Sequence, residues 1–177
     1  SPLKFDIILS LFYSKEIEVS KEDVKRFNIV AGNAPSQGDL WECWKQLKRQ
    51  MDLVYEEALE GKEAASEENM LELIDAWADV WYTNTYLGQL LEAFGVNTKA
   101  VIEEVCKNNN QKFTTSYTYA SESKEALEDK GVQCYIEQTV YQGTTYYTVR
   151  RNGDGKVMKL RHHESPNLSK LVPKEFA

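Results

Sequence analysis

From Leu40 onward, apolar residues recur at alternating spacings of four and three: Leu40, Trp44, Leu47, Met51, Val54 and Ala58. That spacing returns to one face of a helix at every turn. It predicts a long helix, opened by Asp39 and Glu42 as a capping box and stopped at Gly61. "KEAASEEN" reads as a short connection with Ser66 as the next N-cap. A second long helix follows, with Leu71, Ile74, Ala78 and Trp81 on one face, reaching about Phe94. "GVN" breaks the pattern, and Asn97 caps a shorter third helix, "TKAVIEEVCKN". Long helices joined by short links pack as antiparallel neighbours, so the fold class is mainly α, an antiparallel helical bundle.

After Lys112 the periodicity changes. "SKEALEDKG" is one more short helix, closed by Gly131. "VQCYIEQTVY", "TTYYTVRR" and "KVMKL" are rich in β-branched and aromatic residues, and Gln142-Gly143 and Asn152-Gly153-Asp154-Gly155 separate them as turns. A three-strand C-terminal β-meander is expected. The chain then divides into an N-terminal extension (1–35), a metal-binding helical bundle (36–112) and a C-terminal α+β subdomain (113–177) packed on the bundle. The apolar opening "LKFDIILSLFY" is broken by Asp6 and lacks a small-residue cleavage site, so it reads as a short strand or helix and not a signal peptide. No apolar run approaches the ~20 residues of a membrane span.

Charge sharpens this picture. The net charge of −7 argues against broad nucleic-acid binding. Cys43, Cys106 and Cys134 are odd in number and far apart, which fits a reduced cytoplasm better than a disulfide framework or a zinc site. The acids gather on the first two long helices. Glu57 and Glu60 are three apart, Glu56 and Glu60 four apart, and Glu72, Asp75 and Asp79 form one stripe bordering the apolar face. The two groups can meet along a seam between packed helices. Like charges so spaced repel by a few tenths of a kcal/mol per exposed pair, and a divalent cation between them reverses the sign. Both histidines, His162 and His163, lie near the C-terminus, so the helices offer oxygen ligands alone, which suits Mg²⁺ or Mn²⁺. The same spacing also fits an ordinary solvated face, and the sequence leaves both readings open.

Mg²⁺ held by carboxylates completes its shell with waters and substrate phosphates, which need cationic donors of their own. Asn109 and Lys112 stand one turn apart, and Lys156 and Lys159 follow a tight turn; each lysine also fits a plain exposed position. "GDGK" fails the GxxxxGK[ST] spacing of a phosphate-binding loop.

"LVYEEALEG", "LELIDAWADVWY" and "FGVNTKAVIEEVCKNNNQKF", in that order, resemble the all-α nucleoside triphosphate pyrophosphohydrolases, the MazG-like and phosphoribosyl-ATP pyrophosphohydrolase-like family. "DVKRFNIVAG" and the tail "DGKVMKLRHHESPNL" are similar to a subset that includes phage-encoded members. The resemblance implies Mg²⁺-dependent cleavage of the α–β phosphoanhydride of a nucleoside triphosphate to a monophosphate and pyrophosphate. It implies Glu57, Glu60 and Asp79 as metal ligands, Glu56 beside the attacking water, and Asn109, Lys112, Lys156 and Lys159 on the substrate. The family's fourth ligand position is Ala76 here; Asp75, one turn from Asp79, is the favoured replacement, with Glu72 as the other candidate. The lysines would then bring the meander over the mouth of the bundle as a lid. Trp41, Trp44, Trp77 and Trp81 give the helices more apolar face than three helices cover, so a homodimer or homotetramer is expected. Tyr82 and Tyr86, on the acid side, are candidates for a base pocket. The alternative to an enzyme is a non-catalytic helical dimeric interaction module that retains the fold.

Overall fold

A computed structural model describes residues 20–177, so the apolar opening "LKFDIILSLFY" lies outside the described part. The chain forms two compact units, one reaching Thr98 and including Val172–Ala177, the other spanning Lys99–Leu171. The boundary falls one residue into the third predicted helix, after Thr98, so all but the first residue of that helix belongs to the second unit, and the last six residues belong to the first.

The first unit is built from α1 (residues 20–30), α2 (Leu40–Ser66) and α3 (Met70–Ala93). Asp39 caps α2, its Oδ1 accepting from the Glu42 N–H at 3.1 Å, while the Glu42 carboxylate turns to Lys45. The helix passes through Gly61 and ends at Ser66. A glycine costs about 1 kcal/mol relative to alanine inside a helix, but here it lets α3 approach: a Cβ on Gly61 would lie 3.4 Å from the Ala76 Cβ. The cap of α3 is Asn69, which accepts from the Glu72 N–H, not Ser66, whose hydroxyl donates back to the Lys62 carbonyl. Glu68, at φ 55°, makes the turn between the helices.

The packing stripe of α2 lies one position round from the predicted one. Cys43, Leu47, Gln50 and Ala64 are buried, and Val54, Glu57 and Gly61 complete the same row half-buried. On α3 the facing row is Leu73, Ala76, Val80, Thr83, Leu87 and Leu90, whereas Leu71 and Ile74 of the predicted face are 72% and 54% exposed. Gln50 is buried at no cost in unmet polarity, because its Nε2 donates to the Thr83 carbonyl at 2.8 Å across the seam. Val24, Leu47, Tyr86 and Leu90 form the core, with Trp81, Phe94 and Phe176 against it. Tyr86 is 1% exposed and its hydroxyl donates to the Asn33 carbonyl, so it is a core residue and unavailable to a base pocket. Tyr82 stands edge-on to Phe27.

The second unit contains α4 (Thr98–Asn110), α5 (Tyr117–Asp129) and an antiparallel hairpin of β1 (Cys134–Tyr141) and β2 (Thr144–Arg151). Ser116 caps α5, which starts earlier than the pattern suggested. Gln142 and Gly143, at φ 47° and 77°, supply the two left-handed positions of a tight hairpin turn. The sheet has two strands rather than three. "KVMKL" contributes one bridge, Arg150 to Val157, because Thr114 already takes the same edge of β2 at Tyr147 and Leu160 then turns inward. Ala120, Cys134, Val149 and Leu160 make this unit's core. No helix among the described residues is long and apolar enough to cross a membrane.

Candidate functional site

Two cross-helix contacts, Gln50 to Thr83 and Gly61 against Ala76, fix the antiparallel register of α2 and α3. That register sets Glu57 level with Asp79 and Glu60 level with Asp75. Glu57 lies on the seam itself, half-buried, while Glu60, Asp75 and Asp79 stand exposed on its shoulders. The Glu57 Oε2 is buried with no hydrogen-bond partner. Burial pushes the Glu57 carboxyl above its ordinary pKa of 4.5, and the charge of Asp79, the charge of and hydrogen bonding with Glu60, and the charge of Asp75 push it the same way. Among the described residues none of these four carboxylates is ion-paired. The seam therefore concentrates negative charge around an orphaned oxygen and supplies no counter-charge.

The donors fit a hard divalent cation: all are carboxylate oxygens, and the buried unsatisfied Oε2 is what such an ion would use. Among the described residues no three His, Cys, Asp or Glu side chains are drawn together closely enough to hold an ion as they stand. Mg²⁺ usually keeps several waters and takes one or two carboxylates directly, which suits a loose cluster of this kind. Ala76 is 4% exposed and packs against Gly61, so the position where a fourth ligand was sought is given over to helix contact. Asp75 and Glu72 are both exposed, and Asp75 is the one whose charge reaches Glu57. Glu56 is exposed on α2 beside Glu57.

The cationic candidates all lie in the second unit. Lys112 donates to the Asn109 Oδ1 at 3.0 Å, so the Asn-x-x-Lys pair is a bonded pair. Lys112, Lys156 and Lys159 line one cavity of about 440 Å³, together with Lys130 and Arg161, which no sequence pattern marked. The turn ahead of Lys156 is fixed by Asp154, whose carboxylate is gripped by the Arg151 guanidinium and accepts from the Lys156 N–H at 3.2 Å. The Arg151 hydrogen bond holds the Asp154 carboxyl well below the usual range.

Residues 40–109, covering α2, α3 and nearly all of α4, match the family model of phosphoribosyl-ATP pyrophosphohydrolase. The match supports a pyrophosphohydrolase-type activity on nucleotides, a hydrolase acting on an anhydride. No curated protein and no solved structure matches the chain.

Proposed function

We propose that the chain is a Mg²⁺-dependent nucleoside triphosphate pyrophosphohydrolase, with Mn²⁺ able to substitute, which cleaves the α–β phosphoanhydride. The observation that carries this reading is the unpartnered Glu57 Oε2 within a four-carboxylate seam, inside the segment that matches the family. Glu57, Glu60, Asp75 and Asp79 would hold the metal. When bound, the ion supplies charge neutralisation at the phosphoryl oxygens and acidifies a water. Glu56, exposed beside Glu57, orients the attacking water and takes its proton. The hydroxyl joins one phosphorus as the bridging oxygen leaves on pyrophosphate. Lys112, tethered by Asn109, and Lys156 and Lys159 offset the charge that builds on the phosphate chain. The tail's likeness to the phage-encoded subset belongs to the same proposal, as does a cytoplasmic setting.

A helical interaction module without turnover is the alternative, and Ala76 at the family's ligand position is the observation in its favour. Pyrophosphate release from a panel of nucleoside triphosphates, with and without Mg²⁺, separates the two. Release that requires the metal is expected for at least one nucleotide. No release from any of them would leave the interaction module standing.

The same helices are proposed to form a homodimer or homotetramer. Trp41 and Trp77 are 66% and 69% exposed, and Trp44, Met51, Leu71 and Ile74 extend the apolar surface. Interface tryptophans commonly contribute 2 kcal/mol or more, roughly a thirtyfold change in Kd each. Light scattering should report an oligomer for the parent and a monomer for the Trp41→Asp, Trp77→Asp double variant. A monomeric parent at micromolar concentration would refute the proposal.

A further inference from the structure

We infer that the second unit contains a self-contained binding site for a condensed phosphate chain, in which Lys130 and Arg161 are ligands alongside Lys112, Lys156 and Lys159. The cavity of about 440 Å³ is walled by those five cations, and no carboxylate lines it. Its size is within the range of small-molecule sites. The cations arrive from separate parts of the chain: Lys112 beyond α4, Lys130 at the C-terminal end of α5, and Lys156, Lys159 and Arg161 from the segment after β2. Lys156, Lys159 and Arg161 are neighbours in sequence, and the fold adds Lys112 and Lys130 to them from two other segments.

Four of the five charges have no ion-pair partner among the described residues. Among the described residues the ammonium groups of Lys130, Lys156 and Lys159 have neither an ion pair nor a hydrogen bond. Lys112 meets only the neutral Asn109 amide, and Arg161 reaches Glu122 at 3.7 Å across exposed surface. By contrast, Lys124 on the same helix is engaged by Glu128 and does not line the cavity. Like charges gathered without counter-ions repel one another, and an anion of several charges reverses that term. A single phosphate would leave most of the five cations unmet, whereas two or three linked phosphoryl groups offer charge and oxygens to all.

The floor fixes the ligand's position. Leu127, Val157 and Met158 give it an apolar base. The buried Ser123 hydroxyl accepts from the Arg161 N–H at 2.9 Å, which anchors the backbone that presents Arg161. The identity of the ligand rests on the pyrophosphohydrolase reading, while the cavity and its charge do not. The same phosphate chain could come from a nucleoside triphosphate or from free pyrophosphate.

Calorimetric titration of the full chain with inorganic pyrophosphate, in the presence of a chelator, tests the site without turnover. One site per chain is expected, weakened by added salt and about tenfold or more by Lys130→Ala and by Arg161→Ala. Glu57→Gln should bind pyrophosphate as the parent does, because the seam acids take no part. Both replaced side chains are exposed, and equal melting temperatures confirm intact folding; Lys130→Gln provides a second neutral variant. A non-hydrolysable nucleoside triphosphate that displaces pyrophosphate marks the nucleotide as a source, and failure to displace marks free pyrophosphate as the sole one. Absence of binding, binding unchanged in both Lys130→Ala and Arg161→Ala, or equal binding of a nucleoside monophosphate would overturn the site. Pyrophosphate binding without any nucleotide hydrolysis would sink the proposed function and leave this site in place.

Discussion

Glu57→Gln is expected to lower turnover by about two to three decades while raising the melting temperature of the metal-free protein at neutral pH. On the proposed function, the activity loss follows from removing a metal ligand whose Oε2 has no other partner; a metal's stabilisation of transition-state charge amounts to several kcal/mol, and each 1.36 kcal/mol is a decade. The opposite sign of the stability effect follows from proton linkage. The folded Glu57 carboxyl has a pKa above 4.5, chiefly through burial and then through Asp79, Glu60 and Asp75. A carboxyl that holds its proton more tightly when folded makes the folded state lose stability as pH rises through that raised value. Glutamine cannot ionise, so its advantage is full above the folded pKa and vanishes below the unfolded one. Thermal melts from pH 4 to 8 without metal should show the gap opening with pH. Added Mn²⁺ should raise the parent's melting temperature and leave the variant's nearly fixed. Asp79→Asn should share the loss of Mn²⁺ response. Variants that respond to Mn²⁺ as the parent does would place the metal elsewhere.

What the sequence made legible was local. Asp39 as a cap and Gln142-Gly143 as a hairpin turn depend on a few adjacent residues, and both stand where they were expected. The acid spacing was legible for the same reason, since residues three or four apart share a helix face whatever the helix packs against. Orientation was not. Both α2 and α3 carry two apolar stripes, and the one richer in large residues, with Trp44, Met51, Leu71 and Ile74, is the exposed one. The seam instead uses Gly61, Ala64, Ala76 and Gln50, small or polar residues that periodicity discounts but that allow close approach. At Gly61 the local cost of a glycine shows in the sequence and its cross-helix benefit does not, so periodicity alone places a helix stop there. Tyr86 looked like a pocket wall because the partner of its hydroxyl, Asn33, is remote in sequence. Lys130 had no signal at all, since only the fold of the second unit brings it beside Lys156, and Arg161 lies within the quoted tail without being one of its marked lysines.

Lys112→Ala and Lys156→Ala should each reduce kcat/KM by one to two decades on the best nucleotide, with Mg²⁺ affinity unaltered. Lys112 is held by the Asn109 Oδ1 at 3.0 Å, so its ammonium group is positioned before substrate arrives, and the turn clamped by Arg151 and Asp154 fixes the backbone from which Lys156 extends. A preorganised cation loses less freedom on engaging a phosphate than a free surface lysine does. Hydrogen bonds to charged groups contribute about 1.5–3 kcal/mol, which sets the predicted range through transition-state arithmetic. Asn109→Ala removes the tether and keeps the charge, so it should cost less than Lys112→Ala and add little to it in the double variant. Both substitutions leave every seam carboxylate in place, so the Mn²⁺ thermal response should survive them. Steady-state kinetics of the parent and the four variants, with metal response measured in parallel, decides the matter. Unchanged kcat/KM in both lysine variants would mean that the phosphate chain is held during turnover by groups other than these, and that the cavity of the second unit serves some purpose apart from catalysis.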